Sequence, residues 1–379
     1  MVIIYRQFYL LVLCATLILC SDTHAQRSDR VLIGAIRWDA WYRAVEGVNP
    51  GPVGEVQRTL SPGKYHFRAP FFTEELSDTS IRIIGYDNDI IGKEIAYASA
   101  AGLDYWAFLL YDETYLMSEG LNIYLRHKDR AKINFCAIAE PKRLCNSEGK
   151  ETERILRLLQ EPNYQKVLGN RPLIYIFRPD TGLISSNGGE EIVRQKFKDL
   201  RAAIAGAGHA DPYLVIMSTE TNITTKMLDL TSADAVSEYA YQSDLDRSKT
   251  TYQDLCNEAK EFWLQQKNSG YKSIPLVMSG WNRWPRIERP VSWEANWQTA
   301  PGIEITKNYD LPTPKELAKH VKEGIDWVIE NPQSCPAKSI LIYAWNEHDE
   351  GGWLCPTFQK DSSPDDSRLK MLKKVLDQR

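Results

Sequence analysis

The sequence has no excess of positive charge, no basic tract and no long apolar segment beyond its N-terminus. Its 379 residues include 46 Lys and Arg against 50 Asp and Glu, which gives a formal net charge of −4. Polyanion binding needs clustered positive charge, so we expect no nucleic-acid partner. After the first 26 residues no apolar run reaches the roughly 20 residues of a membrane-spanning helix. We therefore expect no membrane insertion.

Signatures of several catalytic classes are also missing. The sequence has no His-Glu-x-x-His pattern and no Cys-x-x-Cys pair, so we expect no catalytic metal and no cofactor. It has no G-x-S-x-G elbow, which argues against a serine hydrolase, and no phosphate-binding loop, which argues against phosphoryl transfer. What it does have is 43% hydrophobic residues, enough to bury a large core.

The first 25 residues are typical of a secretory signal peptide. Arg6 supplies the positive start, Phe8–Cys20 forms a short apolar run, and Thr23 and Ala25 are small residues before the cleavage point. Cys20 is an alternative site for a lipid anchor. We expect a secreted protein, extracellular or periplasmic, cleaved near Ala25, with a catalytic domain over residues 26–379 that acts as a monomer.

Five cysteines remain beyond the signal peptide, and an odd number prevents complete pairing. Cys335 with Cys355, and Cys136 with Cys145, are both open as disulfide pairs. The sequence does not choose between them.

Eight short apolar runs bounded by turn residues predict strands buried on both faces. They are Val31–Ile36, Leu103–Leu110, Ile133–Ala139, Leu173–Phe177, Tyr213–Met217, Ala233–Ser237, Ile274–Met278 and Ile340–Trp345.

Helical patterns lie between most of these strands, and three of them end at or near a glycine, the usual helix stop signal. Those three are Ile90–Ala101, Glu190–Ala205 and Tyr252–Lys267. Before the last strand, Thr313 and Glu316 form a capping box, with Pro314 at the first helical position.

Eight buried strands alternating with helices predict the α/β class, as a single (β/α)8 TIM barrel with long loops after strands one and seven. These loops span Arg37–Ile90 and Gly280–Leu311, on the C-terminal face where barrel enzymes keep their active sites. An open doubly wound sheet is the alternative. It would require a glycine-rich turn after strand one, where Arg37 and Trp38 are bulky instead.

The tryptophans point to one mouth of this barrel. Eight of the eleven lie at or after the ends of strands one, seven and eight, which become neighbours when the barrel closes. Indole faces stack on the apolar faces of sugar rings, so this mouth suits an uncharged, polyhydroxylated ligand. Each tryptophan taken singly fits better as a cap on the barrel core. The eight are Trp38, Trp41, Trp281, Trp284, Trp293, Trp297, Trp345 and Trp353.

The end of strand eight carries the densest group of titratable residues: Glu347, His348, Asp349 and Glu350, followed by two glycines. Hydrolysis of a glycosidic bond needs one protonated and one ionised carboxyl group. Glu347 and Glu350 are the natural pair, because crowding like charges in a partly apolar mouth raises one of the two pKa values. An acidic loop after a strand can equally be a solvated cap or a cation site.

Six stretches across nearly the whole chain resemble glycoside hydrolase families 71 and 99 and the related WbsX-type domains. The most specific is the W-N-E-x-x-E-G pattern after strand eight. The stretches are Gly34–Tyr42, Tyr65–Phe72, Glu94–Ala98, Ala101–Phe108, Ser279–Arg286 and Trp345–Gly351. The chain departs from the usual pattern at His348, Asn282 and Cys355.

The resemblance implies a glycosidase that is endo-acting on an α-linked mannan, glucan or related glycan. It implies a retaining reaction by paired glutamates, assisted by the sugar's own 2-hydroxyl. By this mapping Glu347 is the base that takes the 2-hydroxyl proton, and Glu350 is the general acid.

Around this catalytic pair we expect side chains that stack on sugar rings or bond their hydroxyl groups. The predicted substrate-binding residues are Trp38, Asp39, Trp41, His66, Arg68, Trp281, Asn282, Trp345, Asn346 and His348. Further polar residues near strand ends, each of which fits a salt bridge better when taken singly, are Asp112, Glu140, Arg178, Glu220 and Glu238. A non-catalytic glycan-binding barrel and a sugar deacetylase or lyase remain the alternatives.

Overall fold

The computed structural model describes residues 30–44, 51–146, 148–218, 221–241, 250–294, 308–360 and 362–379. The predicted signal peptide lies outside the described residues, as do Glu220 and Trp297.

Eight parallel strands form a barrel, which confirms the predicted (β/α)8 fold. Each predicted strand is present, and its ends lie within two residues of the predicted ones. In chain order the strands are β1 (Leu32–Arg37), β2 (Tyr105–Leu109), β3 (Asn134–Ala139), β4 (Arg171–Ile176), β5 (Tyr213–Met217), β6 (Ala235–Ser237), β7 (Leu276–Met278) and β8 (Ser339–Tyr343).

The strands follow one another around the barrel in chain order, and β8 pairs with β1. Gly34 of β1, for example, is in register with Tyr105 of β2 on one side and Leu341 of β8 on the other. The remaining gap between β6 and β7 is closed by two backbone hydrogen bonds. Val236 N donates to Lys272 O at 2.9 Å, and Ile274 N donates to Val236 O at 3.0 Å.

Helices surround this barrel on the outside. The predicted stop signals are confirmed at Gly102, which has φ 92° and follows the end of one helix, and the capping box of Thr313 with Glu316 is present. The helices are α1 (Pro52–Leu60), α2 (Asn88–Ala101), α3 (Glu119–Arg126), α4 (Pro141–Asn146), α5 (Lys150–Leu159), α6 (Thr181–Ser186), α7 (Glu190–Gly206), α8 (Thr221–Thr231), α9 (Tyr252–Asn268), α10 (Trp284–Glu288), α11 (Pro314–Glu330) and α12 (Ser367–Leu376). None of the helices in these ranges is long and apolar enough to cross a membrane.

The barrel interior is filled by side chains and mixes apolar packing with a few polar contacts. The Tyr105 hydroxyl bonds those of Tyr175 and Ser339 at 2.9 and 3.0 Å. Outside the strands, between β1 and α2, Arg37 donates to Glu94 at 2.7 Å, and both side chains are completely buried. Charged groups at such depth are stable only when paired, so this ion pair joins β1 to α2.

The long loop after β1 folds over the C-terminal face of the barrel. It contains α1, a 3₁₀ turn over Gly63–Arg68, and a hairpin of the strands Thr73–Ser77 and Ser80–Ile83. The loop after β7 carries α10. All five cysteines of the described chain are buried free thiols, so neither of the two open disulfide pairs is formed.

Candidate active site

A cavity of about 630 Å³ opens at the C-terminal face of the barrel, within the range typical of small-molecule sites. Its walls combine rings with charged groups. The rings belong to Trp38, Tyr111, Tyr115, Phe177, Tyr239, Trp281 and Trp293. The charged side chains belong to Glu55, Arg178, Arg283, Arg286, Glu294, Glu347 and Glu350.

A tight reversal after β8 brings both predicted catalytic glutamates to this cavity. The short strands Asn346–Glu347 and Gly352–Trp353 pair antiparallel, and a 3₁₀ turn over His348–Glu350 joins them. Gly351 ends the turn at φ 85°, a left-handed conformation that favours glycine. An added Cβ there would lie 2.6 Å from the backbone nitrogen of Asn282, so the turn also needs glycine for space.

Glu350 is surrounded by positive charge and hydrogen-bond donors. One of its carboxylate oxygens accepts from Arg286 and lies 3.2 Å from Arg283 Nε. The other accepts from the hydroxyl of Tyr343, the last residue of β8. Two guanidinium groups and a phenol therefore stabilise the ionised form of this buried carboxyl group.

Glu347 has fewer stabilising partners. Its Oε1 accepts from the Tyr239 hydroxyl at 2.7 Å. Its Oε2 has no hydrogen-bond partner in the described part of the chain and lies 3.7 Å from Arg286 Nη2. The side chain is nonetheless buried. A buried carboxyl oxygen without a protein partner, at the wall of a cavity, is available to a ligand.

These environments shift the two pKa values in opposite directions. Burial, together with the nearby charge of Glu350, raises the pKa of Glu347 well above its ordinary value. Burial would also raise the pKa of Glu350, but the charges of Arg286 and Arg283 outweigh it and lower that pKa. The directions of these shifts favour the proton on Glu347 and the negative charge on Glu350. The resemblance implies the opposite distribution of roles.

Arg286 links the acidic groups of the site. It binds Asp349 through Nε at 2.7 Å and Nη2 at 3.1 Å, and it donates to Glu294 at 3.0 Å as well as to Glu350. Its guanidinium carbon lies 5.5 Å from the ring centroid of Trp38 and 5.6 Å from that of Trp293, within cation–π range. One cation thereby fixes the acidic turn after β8 against the loop after β7.

Two predicted substrate-binding residues, Trp38 and Trp281, line the cavity. Trp38 donates from its indole nitrogen to the Tyr111 hydroxyl at 2.7 Å and packs edge-on against Trp293. The indole nitrogen of Trp281 has no hydrogen-bond partner among the described residues. Both rings can therefore contact a ligand beside the glutamates.

Two other predicted stacking residues lie beneath the cavity. Trp41 and Trp345 are fully buried, and their indole nitrogens donate to the Asn346 carbonyl at 3.1 Å and to Glu94 at 2.8 Å. His348 packs between Trp41 and Trp353, and burial lowers its pKa to about 3. These three rings cannot stack on a sugar in the cavity, because they are buried and do not line it.

The predicted polar contacts Asp39 and Asn346 also lie in this lower layer. Asp39 accepts from Arg37 at 2.8 Å, and the side-chain amide of Asn346 bonds both the N and the O of Trp38, at 3.0 and 2.8 Å. Neither lines the cavity. Asn346 instead positions Trp38 by tying the end of β1 to the turn after β8.

The last three predicted residues, His66, Arg68 and Asn282, connect loops to one another. The His66 ring bonds the Ser61 carbonyl at 2.8 Å. Arg68 donates to the backbone O and the side-chain Oδ1 of Asn282 at 2.8 and 2.6 Å. Burial lowers the pKa of Arg68 to about 10. We expected these residues to bond sugar hydroxyls. In the structure, the polar atoms named here bond other groups of the protein instead.

Sequence reasoning did not single out Arg283, Arg286, Glu294, Tyr111, Tyr239 or Tyr343. Arg283 and Arg286 stand in the stretch quoted for the resemblance, in the loop that follows β7, so their charge was a usable signal. Tyr111 and Tyr239 follow β2 and β6 within two residues. Nothing in the sequence distinguishes them from the other tyrosines. Among the described residues no group of three or more His, Cys, Asp or Glu side chains could hold a metal ion.

Solved structures resemble this protein in fold, although no family model and no curated protein matches its sequence. A family 99 endo-alpha-mannosidase from Bacteroides thetaiotaomicron in complex with bis-tris-propane aligns with a TM-score of 0.55 and 18% identity, over 91% of this chain and 96% of that one. Another structure of such an enzyme from that organism aligns with a TM-score of 0.53 and 17% identity, over the same shares of the two chains. The likeness confirms the family 99-like (β/α)8 fold that the resemblance implied.

Proposed function

We propose that this protein is a glycoside hydrolase and that Glu347 and Glu350 carry the reaction. The observation that carries the proposal is a pair of carboxyl groups at one cavity wall whose environments push their pKa values apart. This is the electrostatic arrangement that lets an acid and a base coexist near neutral pH. The aromatic walls and the fold likeness to endo-alpha-mannosidases agree with a glycan substrate.

The protonation states support an assignment of roles that reverses the one implied by the resemblance. Glu347, held neutral by burial, gives its proton to the glycosidic oxygen as the bond to the anomeric carbon breaks. Glu350, held ionised by Arg286 and Arg283, takes the proton of the sugar 2-hydroxyl as that oxygen closes on the anomeric carbon. Water then attacks the anomeric carbon of the resulting anhydro-sugar and gives one proton to Glu347, while the proton that Glu350 holds returns to the 2-oxygen. Both carboxyl groups regain their starting states, and two inversions at the anomeric carbon retain the configuration.

For the substrate, we propose internal cleavage of an α-linked mannan, glucan or related glycan. Support comes from the stretches that resemble families 71 and 99 and from the fold likeness to endo-alpha-mannosidases. We further propose that the protein is secreted after cleavage near Ala25. N-terminal sequencing of the exported protein tests that proposal, and an intact Met1 would contradict it.

The first prediction concerns the two glutamates. Glu347→Gln and Glu350→Gln are each expected to lower kcat for release of reducing ends by about 10²- to 10⁴-fold, while glycan binding by calorimetry stays within a few-fold. On a dinitrophenyl glycoside, whose leaving group needs no proton, Glu347→Gln should keep most of its activity and Glu350→Gln should lose it.

Glu288→Gln is the matched control for charge loss on this face, because Glu288 forms an exposed ion pair with Lys64 outside the cavity lining. It should retain full activity. If Glu350→Gln and not Glu347→Gln remained active on the dinitrophenyl glycoside, the roles implied by the resemblance would hold instead.

The tight neutralisation of Glu350 also favours a second candidate, a glycan-binding barrel without turnover. A carboxylate already engaged by two guanidinium groups and a phenol is less available as a base. A wild-type protein that binds mannans or glucans but releases no reducing end from any of them would establish this candidate.

A further inference from the structure

The charged residues that line the cavity differ greatly in exposure. The side chain of Arg178 is 50% exposed, whereas Glu294 is 14% and Arg286 is 3% exposed. Glu55, near the start of α1, is 26% exposed. The charge that a ligand in this cavity meets first is therefore positive.

The other two arginines of the cavity are already matched by acidic groups. Arg283 and Arg286 are shared between Glu294 and Glu350, and Arg286 also binds Asp349. These contacts lie within the wall of the cavity, and the carboxylates neutralise the positive charge of both arginines. A ligand anion gains little from either guanidinium.

Arg178 is held differently, because its protein partners lie behind it. Its Nε donates at 3.0 Å to Glu238, which is 1% exposed, and its Nη2 donates at 3.1 Å to the Ala240 carbonyl. Within the described chain Nη1 has no hydrogen-bond partner. A guanidinium fixed along one edge and open along the other is pre-organised for a planar or tetrahedral anion.

The backbone at Arg178 is also unusual. It follows β4 with φ 37°, in the left-handed region that non-glycine residues rarely adopt. The side chain lines the same cavity as Phe177 and Tyr239. Strained residues of this kind concentrate at ligand sites.

We propose that Arg178 binds an anionic substituent of the glycan, either a carboxylate of a uronic acid or a sulfate ester. The inference rests on the proposed function, since it names the class of glycan that the same cavity accepts. It departs from the uncharged ligand that the tryptophans alone suggest. The substrate is an acidic glycan that stacks on the aromatic walls while its anionic group meets Arg178.

Binding measurements test this without requiring turnover. The probes are oligosaccharides of α-1,4-linked polyglucuronate and of polygalacturonate, each paired with its carboxyl-reduced form, and a sulfated α-mannan paired with its desulfated form. Each pair keeps its linkages and differs only in the anionic group. By calorimetry at low salt, the wild type should bind at least one acidic member about tenfold more tightly than its neutral match, and the preference should shrink as salt is added. The glycan pair for which this preference is observed shows whether Arg178 binds a carboxylate or a sulfate.

The variants then assign the preference to one side chain. Arg178→Gln should bring the ratio of the two affinities, acidic member over neutral member, close to one. Its affinity for the neutral member should stay within about twofold of the wild-type value. This change leaves the buried Glu238 without its cation. The double variant Arg178→Gln with Glu238→Gln is therefore a second test, because it also removes the unpaired negative charge. Lys64→Gln, which removes an exposed cation outside the cavity lining, is the matched control and should keep the wild-type ratio.

Equal binding of acidic and neutral members, no binding of any acidic glycan, or a preference that survives both Arg178 variants overturns the proposal. Failure of the proposed function has a different signature. In that case acidic glycans bind in an Arg178-dependent way but no reducing end is released. Conversely, the protein could hydrolyse neutral glycans equally well with and without Arg178. That result would support the proposed glycosidase activity and overturn the proposed anion site.

Discussion

Residues outside the glutamate pair set its pKa values, and Arg286 and Tyr239 are two of them. Arg286 contacts Glu350 and lowers its pKa, whereas Tyr239 donates to Glu347. With the proposed roles, activity requires Glu350 ionised and Glu347 protonated. It is therefore lost as the pH falls through the lowered pKa of Glu350, and lost again as the pH rises through the raised pKa of Glu347.

A change at Tyr239 should move only one side of this pH profile. The hydrogen bond from Tyr239 stabilises the ionised form of Glu347, so Tyr239→Phe should raise the pKa of Glu347 further. We expect the alkaline limb of kcat/KM to shift to higher pH by about half a unit to one unit, with the acid limb unchanged.

Tyr252→Phe is the control for losing a buried hydroxyl, because Tyr252 donates at 2.7 Å to the Met278 carbonyl, away from both glutamates. Its pH profile should match the wild type. A Tyr239→Phe profile that moves on the acid side instead would show that Glu347 is the group required in its ionised form.

At the scale of elements, the turn after β8 depends on close contact with the loop after β7. The Asn282 backbone N donates to the Glu350 carbonyl at 2.7 Å. In the same pair of loops, a Cβ added at Gly280 would lie 2.1 Å from the Gly351 carbonyl oxygen. The glycines thus let two loops approach closely enough for Arg283 and Arg286 to reach Glu350.

The second glycine of this contact gives a stability prediction. Gly351→Ala combines an unfavourable φ of 85° with a clash against the Asn282 backbone, and should lower the free energy of unfolding by about 3 kcal/mol or more. Gly149→Ala has a similar φ of 88° with nothing within 4 Å, and should lower it by about 1 kcal/mol.

Urea denaturation of both variants separates the steric contribution from the backbone one. Equal losses of stability in the two variants would mean that the close approach of the loops contributes nothing. Activity gives a second measurement, since displacement of the turn should lower kcat in Gly351→Ala only.

For the whole molecule, the buried pair of Arg37 and Glu94 connects the barrel to its helical layer. Glu94 accepts from Arg37 at 2.7 Å and from the Trp345 indole at 2.8 Å, so one carboxylate joins β1, α2 and the residues after β8. Removing one member of a buried pair leaves an uncompensated charge.

Glu94→Gln should therefore lower global stability by about 3 kcal/mol or more, measured by urea denaturation. Glu74→Gln is the matched control, because its pair with Arg82 is exposed and should contribute no more than about 0.5 kcal/mol. Comparable small effects in both variants would mean that Asp39 alone can neutralise Arg37.

The sequence by itself determined the barrel. Strands buried on both faces must be apolar along their whole length, and helices carry their own caps, so β1 to β8 and the capping box at Thr313 were readable from local pattern. The sequence also indicated the turn bearing Glu347 and Glu350, because a dense acidic group directly after an apolar strand is a local feature.

Only the tertiary structure decided which residues face the cavity and in which direction the pKa values of its two glutamates shift. Trp41, Trp345, Asp39 and His348 lie near strand ends like Trp38, yet they are buried and do not line the cavity. How the long loops pack is not encoded by position along a strand. The opposite pKa directions of Glu347 and Glu350 depend on guanidinium groups contributed by another loop. Electrostatic interactions act through space, so their partners are fixed only once the chain is folded.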